Sequence, residues 1–492
     1  MATISAVPAR PGMSDKQRAF LEGPIGKTLF LLAVPMIAAN LLQTGYQLTD
    51  AFWVGRLGAD AVAAVAVSFP LTFLVIALGS GLAMAGATLA AQYAGAGKQE
   101  MVNHVAAQTM LMVAIVSVVL GAFGYGVAPL LLHGLHVSLA VYAGALGFMR
   151  WSFVGVPFVF VYIMFGALMR GVGHVKSPLM ITLGTVLLNF ALDPIFIFGW
   201  GPIAPHGVMG AAMATFATQA LAAVIGVAIF LRGRQGIQLH WTEFKPDPPY
   251  ICSAFKLGLP GSIEMSTRAL GLMVMTFLVS GFGTLVLATY GVGSSVLQIV
   301  FVPAMGLAMA ASTLVGQNMG AGKVDRAGKI AVMATAYAFV MLTIAGGVSY
   351  FLAPHIIAFF VPNDARVIAG GAHYLRIMCW AWGGIGIQLC ISSAFRACGK
   401  MVDAMVIAMV GQWLVQFPVS YMLSRHTPLG SEGLWWGFPI TNTLVALIAC
   451  GWFARGTWKT GRLTDGVRTR AMVAQEVVGE ESFVKDEEPS RS

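Results

Sequence analysis

The chain has 492 residues, of which 58% are hydrophobic and only 10% are charged, and its mean hydropathy is +0.79. Soluble domains carry about 25% charged residues, so this composition excludes an ordinary water-soluble fold and predicts an integral membrane protein. The formal charge of +9 does not indicate nucleic-acid binding, because the Lys and Arg residues flank apolar segments, as in juxtamembrane loops. The five cysteines have no CxxC spacing, which favours single thiols over a metal site or a disulfide framework.

The order of polar and apolar segments predicts five regions. Residues 1–27 are polar, without the apolar core of a signal peptide, and are expected to form a cytoplasmic arm. The stretch 232–250 is polar and rich in proline, and is predicted to link two six-helix lobes at 28–231 and 251–454. The tail 455–492 becomes acidic and poor in apolar residues, so we expect it to be largely disordered.

Within the lobes, apolar segments long enough to cross a bilayer predict an all-α protein of about twelve transmembrane helices. They lie at 28–54, 60–92, 102–125, 138–168, 179–199, 208–231, 251–280, 285–316, 328–352, 368–395, 403–424 and 433–454.

The two lobes are copies of one unit. Residues Gly81–Lys98 read GLAMAGATLAAQYAGAGK and residues Gly306–Lys323 read GLAMAASTLVGQNMGAGK, identical at twelve of eighteen positions with an offset of 225 residues. Further along the chain the offset becomes 226 residues, so Arg170 is equivalent to Arg396. Six helices per copy leave both copies in the same orientation, so a pseudo-twofold axis along the membrane normal is expected between them.

Loop charge predicts the orientation in the membrane. Lys and Arg concentrate in alternate connections, whereas the opposite connections hold only Arg56, Arg366 and Arg425. By the positive-inside rule, the Lys- and Arg-rich connections and both termini lie in the cytoplasm. We therefore expect a multi-pass protein of the cytoplasmic (inner) membrane.

The duplicated stretch has a structural interpretation. Its small residues allow close helix packing in lipid, and its GAGK ending suits a helix C-terminus, with Lys98 beside the negative end of the helix dipole. We favour this packing role over substrate contact. A nucleotide-binding P-loop is rejected, because GAGK lacks the GxxxxGK[ST] spacing and follows a helix.

Acidic residues inside the spans are the main functional candidates, because ionisable groups in a membrane are costly. Away from the ends of the spans there are three of them: Asp50, Asp193 and Glu264. The helical rise places Asp50 and Asp193 in the outer half of the N-terminal lobe. Asn189 shares a helix face with Asp193, and Thr215 enters from the next helix at a similar level. This oxygen-rich set suits a proton relay or a Na⁺ ion, and no other metal or cofactor is predicted.

The repeat provides an internal control for this set. The C-terminal equivalents of Asp50, Asn189 and Asp193 are Met275, Val415 and Val419, respectively. Helix packing in general therefore does not require the polar residues, and we favour a coupling role for them. Glu264 is a secondary candidate, because Arg268 at i+4 explains it equally well as an intrahelical ion pair.

Two further predictions rest on position alone. Pro35 lies about two turns into the first helix, where its missing N–H produces a hinge or kink. Polar, aromatic and Met side chains on helices expected to line an inter-lobe cleft are candidate substrate contacts, with ordinary helix packing as the alternative for each. They are Gln43, Tyr46, Gln47, Tyr162, Phe165, Met169, Met275 and Gln298.

Several motifs together resemble the multidrug and toxic compound extrusion (MATE) family, prokaryotic branch, from about Leu29 to Phe453. In chain order they are LAVPM, TDAFWVGRLGADAVAAV, TLAAQYAGAGK, ALMRGVGHVKSPL, NFALDPIFIFG, GVMGAAMAT, TLVGQNMGAGK and AFRACGK. The resemblance implies a V-shaped pair of six-helix lobes that exports amphiphilic, often cationic compounds in exchange for H⁺ or Na⁺. It aligns the following residues with the first-lobe cation site of the family: Pro35, Asp50, Asn189, Asp193 and Thr215.

One departure from the family pattern bears on coupling. Members with a second-lobe site carry a glutamate well inside the seventh helix and an aspartate in the tenth. Here Glu264 lies closer to the helix start and the tenth helix has Gln388 instead, so the resemblance implies coupling in the first lobe alone. We expect a monomeric, ion-coupled drug antiporter working by alternating access in the lipid bilayer, and not an enzyme or a nucleic-acid-binding protein.

Alternatives remain within and outside transport. A lipid-linked sugar flippase of the same superfamily tends to carry basic residues in its central cavity, which the sequence does not indicate. An integral-membrane transferase needs an acidic metal motif or a catalytic His at a helix end, and the histidines here are isolated. A major-facilitator carrier has a basic GxxxDRxGR-like loop after the second helix, where this chain has GAGKQE.

Overall fold

Twelve helices of membrane-spanning length and hydropathy run through the part of the chain that the computed structural model describes, namely residues 15–135, 137–233, 235–362 and 364–466. Apart from one isolated bridge between Trp200 and Ile203, the regular structure of these ranges is helical. The prediction of an all-α protein with about twelve transmembrane helices is therefore confirmed.

The bounds of the α-helices are α1 Asp15–Glu22, α2 Ile25–Gly55, α3 Ala59–Gly95, α4 Gln99–Gly134, α5 Leu139–Gly171, α6 Lys176–Phe198, α7 Val208–Arg232, α8 Pro248–Ser280, α9 Thr284–Gly320, α10 Val324–Phe360, α11 Ala365–Ala397, α12 Met401–Met409, α13 Phe417–Arg425, α14 Ser431–Ala454 and α15 Leu463–Gly466. A π-helical stretch, Val410–Gln416, joins α12 to α13, so these two helices form one span.

Most predicted spans agree with these helices to within a turn, and the largest differences are in α4 and α10. The sequence interpretation ended these spans at residues 125 and 352, whereas the helices continue to Gly134 and Phe360. Each extension contains a proline, Pro129 or Pro354. A proline removes one backbone hydrogen bond, which a helix supported by its neighbours tolerates.

The two halves contact each other through two helix pairs that the repeat makes equivalent: α2 packs on α9, and α3 packs on α8. Glycines of the duplicated stretch make this close approach possible. A Cβ on Gly81 would lie 2.0 Å from the backbone nitrogen of Ser262, and a Cβ on Gly306 would lie 2.4 Å from Ile37 Cγ1. The duplicated stretch therefore packs helices together, as expected for small residues in lipid.

The segment between the halves is fixed to α4 by one buried side chain. Gln108 Nε2 donates to the carbonyl oxygens of Glu243 and Lys245 at 2.7 and 2.8 Å, and Gln108 Oε1 accepts from the Asp247 backbone at 3.0 Å. A short 3₁₀ turn, Trp241–Phe244, lies within this segment. Residues 243–247 of the connection between α7 and α8 therefore pack against α4.

Both ends of the described chain dock at one end of the helical bundle, where α3, α5, α9 and α11 finish; we call this end the terminal face. Phe20 of α1 and Trp458 of the 3₁₀ turn Thr457–Thr460 are 4% and 3% exposed. The disorder expected of the tail thus does not apply to this turn or to α15, and α1 gives structure to part of the predicted arm. Residues 1–14 and 467–492 lie outside the described residues.

A polar network in the first half

Four side chains predicted from the sequence to meet do come together, from three helices. Asn189 Nδ2 donates to Asp50 Oδ1 at 2.6 Å and to Asp193 Oδ2 at 3.0 Å. Thr215 Oγ1 donates to Asp50 Oδ2 at 3.5 Å. Asn189 and Asp193 are fully buried, whereas Asp50 is partly exposed. The four-residue spacing of Asn189 and Asp193 places both on one face of α6, toward α2 and α7.

The two carboxyl groups share one hydrogen-bond donor. Because Asp50 and Asp193 both accept from the Asn189 amide nitrogen, they lie close together, and two neighbouring carboxyl groups resist carrying two negative charges at once. Asp193 Oδ1 is buried without a hydrogen-bond partner among the described residues, although buried polar atoms normally have one. The network therefore offers acceptor oxygens to a proton or a small cation.

Two members of this network were not assigned to it from the sequence. Thr218 Oγ1 donates to Asn189 Oδ1 at 3.5 Å, and the Tyr46 hydroxyl lies 2.8 Å from Thr218 Oγ1. Tyr46 precedes Asp50 by one turn on α2, and Thr218 follows Thr215 by one turn on α7. This i, i+3 and i, i+4 spacing was the available signal. The prediction that Tyr46 lines an inter-lobe cleft is wrong, because it is buried in this network.

Three further cleft predictions are corrected by burial. Phe165 and Met169 are fully buried in the apolar core of the first half, and Met275 is 1% exposed in that of the second half. These side chains contribute to helix packing, which was the alternative interpretation for each of them. Spacing on a helix did not distinguish a cleft-lining face from a core-facing one.

The other four cleft candidates keep a solvent- or lipid-accessible surface. Gln43, Gln47 and Gln298 are exposed, and Tyr162 is partly exposed. The Tyr162 hydroxyl lies 2.7 Å from Thr182 Oγ1 of α6. A role in substrate contact stays a prediction for these four residues.

Glu264 has two basic partners. Its Oε1 accepts from Arg268 Nη2 at 3.2 Å, the intrahelical pair expected from the spacing. Arg396 Nη1 of α11 also donates to Oε1 and Oε2, at 2.9 and 3.2 Å. Glu264 is only 1% exposed, so its negative charge is compensated inside the second half. This arrangement favours the structural explanation of Glu264.

Pro35 lies within an uninterrupted helix. Helix α2 continues from Ile25 to Gly55 through Pro35. Two residues after the proline, Ile37 contacts Gly306 of α9. The proline thus lies where α2 meets the opposite half. A hinge at this position remains a prediction.

Comparison with known proteins assigns the family. The family profile named MatE matches residues 35–195 and 260–422, once in each half. The chain belongs to the MatE family. The double match also agrees with the internal repeat.

Curated relatives cover nearly the whole chain. The probable multidrug resistance protein YoeA of Bacillus subtilis (strain 168) is 30% identical, over 89% of this chain and 96% of YoeA. The probable multidrug resistance protein NorM of Rhizobium meliloti (strain 1021) is 28% identical, over 85% of this chain and 90% of NorM. A FAD transporter of Shewanella oneidensis is 24% identical, over 90% of this chain and 97% of that protein.

Solved structures of MATE proteins share the fold. One, a MATE protein in complex with MaL6, superposes with a TM-score of 0.84 at 21% identity and covers 93% of this chain and 100% of its own. Another, an outward-facing multidrug resistance MATE family transporter of the MOP superfamily, has a TM-score of 0.82 at 23% identity and covers 91% and 99%. The predicted resemblance to MATE transporters is confirmed, and the protein is a multi-pass membrane transporter.

Proposed function

We propose that the protein is a secondary active antiporter that exports amphiphilic, cationic compounds in exchange for H⁺ or Na⁺. Its relatives named multidrug resistance proteins support the substrate class. The positive-inside pattern supports an inner-membrane location with both termini in the cytoplasm. The protein acts as a monomer and performs transport rather than enzymatic chemistry.

The observation that carries the coupling proposal is the carboxyl pair of the first half, of which Asp193 is fully buried. Asp193 Oδ1 has no partner among the described residues, and the carboxyl groups of Asp50 and Asp193 accept from the same Asn189 amide nitrogen. Burying a second negative charge there is costly. A proton or a Na⁺ ion that binds Asp50, Asn189 and Asp193, with Thr215 as a further oxygen donor, removes this cost.

Coupling follows from competition between conformations. If the cation and the drug favour different states of an alternating-access cycle, each lowers the affinity for the other by the same factor. The lobes then move against each other and expose the substrate path to one side at a time. Pro35, on the helix that carries Asp50 and contacts the second half, is proposed to let α2 bend during this movement.

The test is ethidium efflux from cells that express the wild-type protein, Asp50→Asn or Asp193→Asn at equal membrane levels. Neutralising either carboxyl removes the charge that the coupling cation compensates, so we expect both variants to lose efflux. Glu264→Gln is the matched control, since it neutralises a buried acid outside the network, and efflux should continue.

The outcomes separate the alternatives. Normal efflux in both aspartate variants would overturn the coupling site. Loss of efflux in Glu264→Gln alone would transfer coupling to the second half. Absence of ethidium efflux in the wild type, with flavin or lipid-linked substrates exported instead, would overturn the proposed substrate class.

A further inference from the structure

The two halves are joined at the terminal face by hydrogen bonds that occur in pairs related by the repeat. Thr88 Oγ1 of α3 donates to the Arg396 carbonyl at 3.1 Å, and its equivalent Thr313 of α9 donates to the Arg170 carbonyl at 3.1 Å. These four residues are equivalent in pairs at offsets of 225 and 226 residues.

Two glutamines repeat the same pattern one turn further along. Gln92 Nε2 donates to the Ala397 carbonyl at 2.8 Å, and its equivalent Gln317 Nε2 donates to the Gly171 carbonyl at 2.9 Å. Both glutamines are buried, at 0% and 1% exposure. Each of the four bonds crosses from one half to the other and ends on a carbonyl group in the last turn of a helix, where the helix itself leaves carbonyl groups unpaired. The Arg170 and Arg396 carbonyl groups also accept from Gly173 and Gly399 in the turns that follow.

The backbones of α3 and α9 touch at the same level. A Cβ on Gly95 would lie 1.9 Å from the Gln317 carbonyl oxygen, and a Cβ on its equivalent Gly320 would lie 1.8 Å from the Gln92 carbonyl oxygen. This contact explains why the duplicated stretch keeps glycine and glutamine at these positions in both copies. The glycines allow the helices to meet, and the glutamines then reach across.

The C-terminal segment 458–463 reinforces one side of this contact. Gln92 Oε1 accepts from the Leu463 backbone nitrogen at 2.8 Å, and Gln92 Nε2 also donates to the Gly461 carbonyl at 3.3 Å. The Leu463 side chain lies over Gly399, 2.8 Å from where a Cβ would be. By contrast, Gln317 Oε1 is buried without a hydrogen-bond partner among the described residues.

We propose that Gln92 and Gln317 are the positioning residues that hold the terminal face closed, and that segment 458–463 is an intramolecular strap that docks on Gln92 in this closed state. Any movement that separates the halves at this face breaks the paired bonds and withdraws Gln92 from the strap. The two glutamine amides and the carbonyl groups that they bind then need water, which gives the closed state its advantage. The proposal rests on alternating access, but not on the coupling site or the substrate.

The test measures the separation of the halves directly. Spin labels are placed at Glu100→Cys and Asp325→Cys, two exposed equivalent positions beside the contact, in a variant whose five native cysteines are replaced and which still transports. Pulsed electron paramagnetic resonance should give one short distance between the two spin labels in this variant, which is the parent of the variants below. Gln92→Leu and Gln317→Leu keep the side-chain volume and remove the bonds, so the long-distance fraction should rise about fivefold, the effect of one net hydrogen bond on an equilibrium.

Gln108→Leu is the matched control for a general loss of stability. Gln108 is also a buried glutamine with three hydrogen bonds, but it binds the segment between α7 and α8 rather than the other half. It should lower thermal stability without changing the distance distribution. A Gln92→Leu variant that behaves in the same way as Gln108→Leu would overturn the proposal, because Gln92 would then be structural only.

The strap is tested with two truncations. Deletion of residues 457–492 should raise the long-distance fraction, whereas deletion of residues 467–492, which leaves the strap in place, should not. Equal distance distributions in both truncations would remove the strap from the proposal. Because the measurement needs no substrate and no ion gradient, its result is independent of the ethidium assay for Asp50 and Asp193.

Discussion

At the scale of single residues, Asn189 connects the two aspartates of the first half and also contacts Thr218. Its amide nitrogen donates to both carboxyl groups, and its amide oxygen lies 3.5 Å from Thr218 Oγ1, which also lies within reach of the Ala214 and Thr215 carbonyl groups. Partners that orient a ligand from outside the site typically change cation affinity by about 10- to 100-fold. We therefore predict that Thr218 contributes to the site.

This contact predicts the effect of Thr218→Val, which keeps the shape and removes the hydroxyl. We expect the H⁺ or Na⁺ concentration needed for half-maximal efflux to rise about tenfold. Thr276→Val is the control, because the Thr276 hydroxyl donates to the Leu272 carbonyl of its own helix and lies in the second half, away from the network. An unchanged ion dependence in Thr218→Val would separate Thr218 from the site.

Glu264 is interpreted differently at the same scale, because its ion pairs with Arg268 and Arg396 predict a structural role rather than cation binding. Glu264→Gln leaves Arg268 and Arg396 without a counter-charge. Breaking a buried ion pair from one side costs about 3 kcal/mol or more, so the melting temperature in detergent should fall, while the ion dependence of efflux stays. The double variant Glu264→Gln, Arg396→Gln should recover part of the stability. Normal stability together with altered ion dependence would contradict this interpretation.

At the scale of helices, the close packing of the equivalent pairs α3–α8 and α2–α9 depends on glycine, but to different degrees. A methyl group at Gly81 meets the backbone of Ser262, whereas one at Gly306 first meets the side chain of Ile37. A side chain can move aside more readily than a backbone. The N-terminal crossing is therefore the more sensitive of the two.

The matching prediction compares three alanine variants. Gly81→Ala should lower the free energy of unfolding by about 1–3 kcal/mol, the usual cost of overpacking, and Gly306→Ala by less. Gly45→Ala is the control, because its added methyl group meets no atom within 4 Å. Thermal unfolding in detergent measures all three. Equal melting temperatures for Gly81→Ala and Gly45→Ala would show that the close contact is not required.

The helices were largely predictable from the sequence because a bilayer imposes a length on each apolar segment. The acid network was predictable for a related reason: depth can be counted along a helix, and Asp50, Asn189 and Asp193 have no polar equivalents in the other half. The sequence did not predict how each helix is rotated about its own axis, and therefore which of its faces points into the core. Phe165 and Met275 were for this reason predicted to line a cleft, although they face a core.

Contacts between distant parts of the chain were also beyond sequence reasoning. Arg396 is 132 residues from Glu264, and Leu463 is 371 residues from Gln92. No local spacing rule joins such pairs. Arg396 was consequently interpreted as a loop charge, and the start of the tail as part of a disordered segment, although both make buried contacts.

At the scale of the whole molecule, the two halves share one architecture but differ in chemistry. The first half contains the acid network, and the second half contains a charge-compensated glutamate at a different position. At the terminal face, the two halves donate equivalent hydrogen bonds to each other. Such an arrangement suits a transporter in which symmetric helices provide the movement and one half provides the coupling.

The most direct measurement of the central claim is substrate efflux from proteoliposomes under an imposed pH or Na⁺ gradient, with the wild-type protein and Asp50→Asn compared. One of the two gradients should drive ethidium uphill in the wild type. Asp50→Asn should lose this gradient-driven accumulation and retain at most equilibration. Equal accumulation by Asp50→Asn under the same gradient would contradict coupling through the first-half network.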